Sequence, residues 1–149
     1  MKNLRTAGLI FSVLLLFAFE SKPAGKVQKE AHTTPPSARF EPSSIDFGDQ
    51  VTKKPSKYQR ITVTNTGEAK LYINSVNITG DDRQSFTLVG DTCTGSTIES
   101  KKSCVVDVCF TPARTEGHKA VIQFTDSAAD SPQSVSVSGK GINSAAVRP

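Results

Sequence analysis

The chain has 149 residues, 36% hydrophobic and 21% charged, with 10 Gly, 8 Pro and no Trp. That length suits one domain with appendages and excludes two large domains, and with them a two-domain enzyme; the composition is neither collagen-like nor low-complexity. The net charge of +4 belongs to the ends: residues 1–37 carry +3, residues 143–149 carry +1, and residues 38–142 hold 12 basic and 12 acidic side chains. A nucleic-acid binder concentrates Lys and Arg on its folded part, where they displace counterions from phosphates. Here only Lys53, Lys54, Lys57 and Arg60 cluster, and such a run is expected to be a solvated loop and strand edge. No nucleic-acid partner is expected.

The first residues have the pattern of an export signal. Lys2 and Arg5 precede Thr6–Phe19, 14 residues without a charge and centred on Leu14-Leu15-Leu16-Phe17. A bilayer span needs about 20 apolar residues, so a cleaved signal over residues 1–18 is expected. Leu16 and Ala18 give the best-fitting cleavage site. A site near residue 24, or retention as an anchor, is the alternative, and only retention would bring the membrane in as a partner. Exported, periplasmic, secreted or cell-surface localisation follows. Residues 19–38 contain Pro35-Pro36, lack hydrophobic periodicity and are expected to be a disordered linker; residues 143–149 are expected to be a flexible tail.

From Phe40 onward apolar residues alternate in short runs: Ile45 with Phe47, Ile61 with Val63, Leu71 with Ile73, Phe86 with Leu88, Cys104-Val106-Val108-Phe110, Ala120-Ile122-Phe124, and Val135 with Val137. After Ile73 the parity shifts to Val76 and Ile78, which predicts a β-bulge or bend at Asn74-Ser75. Turn signals such as Asn65-Thr66-Gly67, Gly80-Asp81-Asp82 and Asp130-Ser131-Pro132 separate the runs, and Gly67 is expected to supply a positive φ. Pro112 should end the strand that carries Phe110, and the last strand should stop where Gly139 and Gly141 flank Lys140. Seven period-two segments at about ten-residue spacing predict an all-β, seven-stranded antiparallel immunoglobulin-like sandwich over residues 39–142.

In an exported chain a cysteine pair points to a disulfide before a metal site. Cys93 and Cys104 bracket a polar loop. Cys104 lies on the inward parity and Cys109 on the other, which leaves Cys109 as a free thiol open to an intermolecular disulfide; a Cys93–Cys109 bond would overturn that parity. No cofactor, metal site or catalytic residue is expected. His32 falls in the linker and His118 is expected on the surface in a turn; Cys109 and His118 are expected on different sheets with no third group, so they do not make a nucleophile and base. Asp81-Asp82 and Asp126 with Asp130 fall short of a calcium ligand set and fit turn chemistry. Asn77-Ile78-Thr79 is a glycosylation sequon.

Together, Pro42-Ser43-Ser44-Ile45-Asp46-Phe47-Gly48, Val63-Thr64-Asn65-Thr66-Gly67, Ile78-Thr79-Gly80, Cys93 with Cys104, Val108-Cys109-Phe110-Thr111-Pro112 and Val137-Ser138-Gly139-Lys140-Gly141 resemble, in this order, the Hydin/ASH-type immunoglobulin-like domain. This is the module of bacterial choice-of-anchor D proteins, similar to the major-sperm-protein and PapD-like sandwiches. The resemblance covers about Phe40–Ile142 and implies the Cys93–Cys104 pair, an adhesive or spacer role, and contact with a protein or a cell-envelope polymer. An assembly factor that pairs with a partner strand is the alternative. The expected contact surface is a sheet edge on the last strand, Gln133, Ser134, Val135, Ser136, Val137 and Ser138, where small uncharged outward residues allow close approach. An N-terminal segment near Phe40 that covers this edge is the competing expectation.

Overall fold

The computed structural model describes residues 33–146, all within one compact unit. The expected signal segment, most of the expected linker and the last three residues of the tail lie outside the described residues. Among the described residues nine strands follow one another: β1 Ala38–Glu41, β2 Ser44–Val51, β3 Gln59–Asn65, β4 Leu71–Thr79, β5 Phe86–Asp91, β6 Thr97–Ile98, β7 Ser103–Phe110, β8 Gly117–Asp126 and β9 Gln133–Ile142. They form a sandwich of a four-stranded sheet, β1-β3-β7-β5, and a five-stranded sheet, β2-β9-β8-β4-β6. Each of the seven expected runs lies in a strand. The two additions are β1 and the two-residue β6, both too short to show a period of their own.

One pairing departs from the expected antiparallel arrangement. The chain leaves the four-stranded sheet after Glu41 and enters the other sheet at Ser44, so β2 runs parallel to β9 with Ile45 beside Val137. The end of the expected linker is also ordered. Thr34 carbonyl accepts Glu68 and Ala69 N–H, and Ser37 carbonyl accepts Thr66 N–H at 2.8 Å. This overrides the expectation for Gly67, whose φ is not positive. A Cβ on Gly67 would instead lie 2.1 Å from Pro35 O; a close backbone approach requires the glycine. The predicted parity slip is present as a register shift between Ile73 and Ser75 against β8.

Inward residues of both sheets make one core. Phe110 is fully buried on β7, stacked on Phe86 at 4.9 Å and tilted against Phe47 at 5.6 Å between ring centroids. Across the sandwich it meets Gly139, where a Cβ would lie 2.5 Å from its ring. Gly139 and Gly141 therefore do not mark a strand end, since β9 continues to Ile142. They are the space into which Phe110 and the backbone of Arg114 fit. Phe110→Ala should cost about 3–5 kcal/mol. Thr111→Ala, just beyond the strand, should stay within about 0.5 kcal/mol. Denaturant melts of the two variants check this; equal losses would contradict the packing.

Candidate functional site

The expected edge on the last strand is corrected at Ser136, Val137 and Ser138, whereas Gln133, Ser134 and Val135 face no strand on the β2 side among the described residues. β9 is not an edge strand: it lies between β8 and β2. Ser136, Val137 and Ser138 pair with Ser44, Ile45 and Asp46 on one side and with β8 on the other, and Ser138 Oγ donates to Asp46 Oδ1 at 3.2 Å. Gln133, Ser134 and Val135 pair with β8 and precede the β2 register. The cover comes from β2, as the competing expectation had it for a segment near Phe40, and the physical reason is Ile45, which becomes buried beside Val137 only if β2 joins this sheet.

The margins lie elsewhere, and three of them are blunted. β1 is four residues long with an Arg39–Glu41 ion pair at 2.7 Å. β2 shifts register between Asp46 and Asp49, with Gly48 at φ 64°. β5 shifts register between Leu88 and Gly90. Short length, charge and bulges all discourage a further strand. The fourth margin differs. β6 pairs with β4 only at Leu71 and Tyr72, so Ser75–Thr79 is bonded to β8 on one side and, among the described residues, faces no strand on the other. Ser-Val-Asn-Ile-Thr contains no charge and no proline.

The direction of its backbone groups follows from stereochemistry. Ile73 faces the core, and its N–H donates to Ser96 O while its C=O accepts Gly95 N–H on the β6 side. Tyr72 faces outward, and its C=O accepts Ser127 N–H at the end of β8. Along a strand, side-chain face and backbone direction alternate together. Beyond the bulge the core-facing residues are Val76 and Ile78, so their N–H and C=O groups point to the open side. Asn77 and Thr79 present exposed side chains on the outer face.

A second cluster sits at the start of β8. His118 is fully buried, which corrects the expectation of a surface position. It continues the inward parity of Ala120, Ile122 and Phe124. Ser85 Oγ lies 3.0 Å from Nδ1 and Arg114 O lies 3.1 Å from Nε2. A carbonyl only accepts, so Nε2 carries a proton and donates to Arg114 O, while Nδ1 and Ser85 Oγ bond to each other. Asp82 approaches that same Nδ1 at 3.6 Å, while its carboxylate accepts Lys119 N–H at 3.0 Å and an Arg114 Nη2 bond at 2.7 Å. In a nucleophile–base–orienter triad the acid holds the nitrogen opposite the nucleophile. Here serine and carboxylate share one nitrogen and the ring is sealed, an arrangement that ties the β4–β5 turn to the start of β8. The Lys119 amide and Arg114 together hold the Asp82 carboxyl below its ordinary range.

The remaining singled-out residues fall into place separately. Cys93 and Cys104 are disulfide-bonded with Cα atoms 5.1 Å apart. Cys109 is a free, half-buried thiol whose Sγ donates to Ser56 O at 3.1 Å. Lys53, Lys54 and Lys57 are exposed in a loop pinned by Lys53 N–H to Pro112 O and Ser56 N–H to Phe110 O. Arg60 leaves that loop on β3 and holds Asp107 through two bonds of 2.7 and 2.8 Å. Asp126 is buried; its Oδ1 accepts Ala128 N–H at 2.8 Å to close a turn, and burial raises its pKa.

A two-sheet sandwich with one parallel margin, an ordered lead-in strand and this disulfide is an immunoglobulin-like domain. The chain belongs to the HYDIN/CFA65/VesB-like Ig-like domain family, whose model matches residues 36–140. Among solved structures it is similar to the secreted serine protease VesC from Vibrio cholerae, at 19% identity and TM-score 0.54 over 72% of this chain and 23% of that one. It is similar to a Porphyromonas gingivalis protein of unknown function at 15% identity and TM-score 0.59, over 77% and 51%. It is also similar to the ASH/PapD-like domain of human CEP192 at 14% identity and TM-score 0.53, over 96% and 99%. These likenesses show the fold. The chain spans about a quarter of the protease and half of the Porphyromonas gingivalis protein. No curated protein matches it in sequence.

Two predictions follow from these contacts. A carboxylate with a depressed folded pKa stabilises above its unfolded value and loses that contribution as pH falls through the folded one. Asp82→Asn should therefore lower stability at neutral pH by about 1 kcal/mol. The gap to the parent should close below about pH 4, the ordinary carboxylate range; urea midpoints across that range read it. Removing the disulfide as Cys93→Ser with Cys104→Ser should cost about 3 kcal/mol, set by the short loop it closes. Non-reducing peptide mapping should recover the Cys93–Cys104 peptide pair with Cys109 alkylated.

Proposed function

We propose that this protein is an exported, non-catalytic immunoglobulin-like module that acts by contact with another polypeptide, through strand pairing along the open margin of β4. The observation that carries it is the contrast among the four margins. Three are blunted by charge, shortness or a bulge, and the fourth leaves the backbone groups of Val76 and Ile78 without a strand partner among the described residues. Main-chain hydrogen bonds would supply affinity there and the alternating side chains specificity. Export is supported by the charged and then apolar start of the chain and by the buried disulfide, a bond that persists in oxidising compartments. An adhesive or spacer unit and an assembly factor both use such a margin, and its short length favours the first. A cell-envelope polymer is the competing partner.

A photo-crosslinking residue at Asn77, compared with one at Ser134 on the outer face of β9, tests the contact in the source cells. Crosslinks to polypeptide should form from position 77 and not from position 134, in chains recovered outside the cytosol with Cys93 and Cys104 oxidised. Crosslinks from 134 alone, or to polymer alone, would move the contact off this margin. A reduced, cytosolic chain would remove export.

A further inference from the structure

We propose that the polypeptide seated on the β4 margin is a second copy of this chain, paired antiparallel about a twofold axis at Asn77. This rests on the strand-pairing function above and names its partner.

Self-complementarity carries the inference. A twofold interface is isologous, so each residue must suit the residue its own symmetry places opposite. Antiparallel pairing about Asn77 sets Val76 against Ile78 of the second copy, Ser75 against Thr79, and Asn77 against itself. The apolar pair falls on the core-facing side of both sheets, where Val76 is buried and Ile78 half-buried. The polar pairs fall on the outer side, where Asn77 is exposed. The hydrogen-bond pattern closes as well. Val76 and Ile78 both direct N–H and C=O to the open side, so each meets the other as a hydrogen-bonded pair, giving four bonds across the axis, and Asn77 falls at the non-hydrogen-bonded position between them.

Charge and shape agree. β4 carries no charged residue from Leu71 to Thr79, so the pairing opposes no like charges. The folded part, residues 38–142, has 12 basic and 12 acidic residues and no net self-repulsion. The open stretch is also bounded at both ends. Ser96 and Gly95 hold Ile73 on one side, and Gly80, at φ 105°, turns the chain away after Thr79. A long foreign strand would run into the Gly95–Ser96 loop. A copy of the same five residues turns away at its own Gly80 before reaching it. An interface of this length belongs to the small, reversible class, so association should be concentration-dependent.

Sedimentation of the purified chain from micromolar to millimolar protein reads it directly, in a Cys109→Ser background that removes the other thiol. A reversible monomer–dimer equilibrium is expected. Asn77→Lys places like charges directly opposite each other across the axis and should weaken dimerisation about tenfold, the effect of roughly 1.4 kcal/mol. Ile78→Pro removes an N–H that only the dimer uses, as an edge position tolerates, and should abolish the dimer with the monomer still folded by circular dichroism. Asn77→Cys tests the axis itself. Non-hydrogen-bonded pairs have Cα atoms about 4.5 Å apart, within disulfide reach, so the oxidised variant should form a covalent dimer while Ser134→Cys in the same background should not. A single monomeric species throughout, or a dimer insensitive to Asn77→Lys and uncaptured by Asn77→Cys, overturns the proposal. Should position 77 still crosslink in cells to a different polypeptide, the second copy is rejected and the strand-pairing function stands. Should it crosslink to none, both fall.

Discussion

The surface of this domain depends on one pairing, the parallel alignment of β2 with β9. Ile45 can be buried against Val137 only if the chain changes sheets between Glu41 and Ser44. Once it does, the last strand is flanked by β8 along its length and by β2 from Ser136 onward. The margin of the five-stranded sheet then moves to the far side, where β6 contributes two residues against a nine-residue neighbour. The shortfall between those lengths is what leaves Ser75–Thr79 open.

The sandwich itself was readable because alternation is a local property. Cys104, Val106, Val108 and Phe110 announce their face with no knowledge of what lies across from them, and the slip at Asn74-Ser75 is visible as a change of parity. The disulfide was readable because its two cysteines close a short loop. Sheet order was not, since nothing in Gln133–Ser138 tells which strand arrives beside it. That depends on Ile45, about ninety residues earlier in the chain. The position of His118 could have been read. It precedes Ala120, Ile122 and Phe124 on the same parity, and only the Glu116-Gly117 turn signal beside it points to the surface. Gly67 shows the opposite case, where a turn sequence suggested a backbone conformation and the real demand came from Pro35, a residue assigned to the linker.

The polar interior follows a different rule from the apolar one. Asn65 is fully buried, and its amide donates to Ala69 O and Ile98 O while its Oδ1 accepts Gly67 N–H. His118 uses both ring nitrogens and Asp126 caps a turn. Burying such groups is costly unless they are bonded, and each of these is matched to a backbone or hydroxyl partner in a turn between strands. They define where the chain reverses, and so set the ends of the strands. Asp82 is the link among them that reaches the open margin: it holds Lys119 N–H and Arg114 immediately after the Gly80 turn that ends β4.

That arrangement separates what holds the fold from what can be offered outward. Phe110 fits against Gly139 between the sheets, and Ile61 and Val106 are buried in the same core, so their loss is felt in stability. The N–H and C=O groups of Val76 and Ile78 on the open side bond to no strand among the described residues and contribute little to the fold. A hydrogen bond formed there exchanges water for peptide, worth about 1 kcal/mol each, and becomes useful only in a row. A margin five residues long therefore supports association that is weak for one pair, reversible, and additive over many copies displayed close together. Such a contact suits a module that spaces or gathers surfaces better than one that must hold a single client tightly, because affinity can then be set by how densely the domain is displayed.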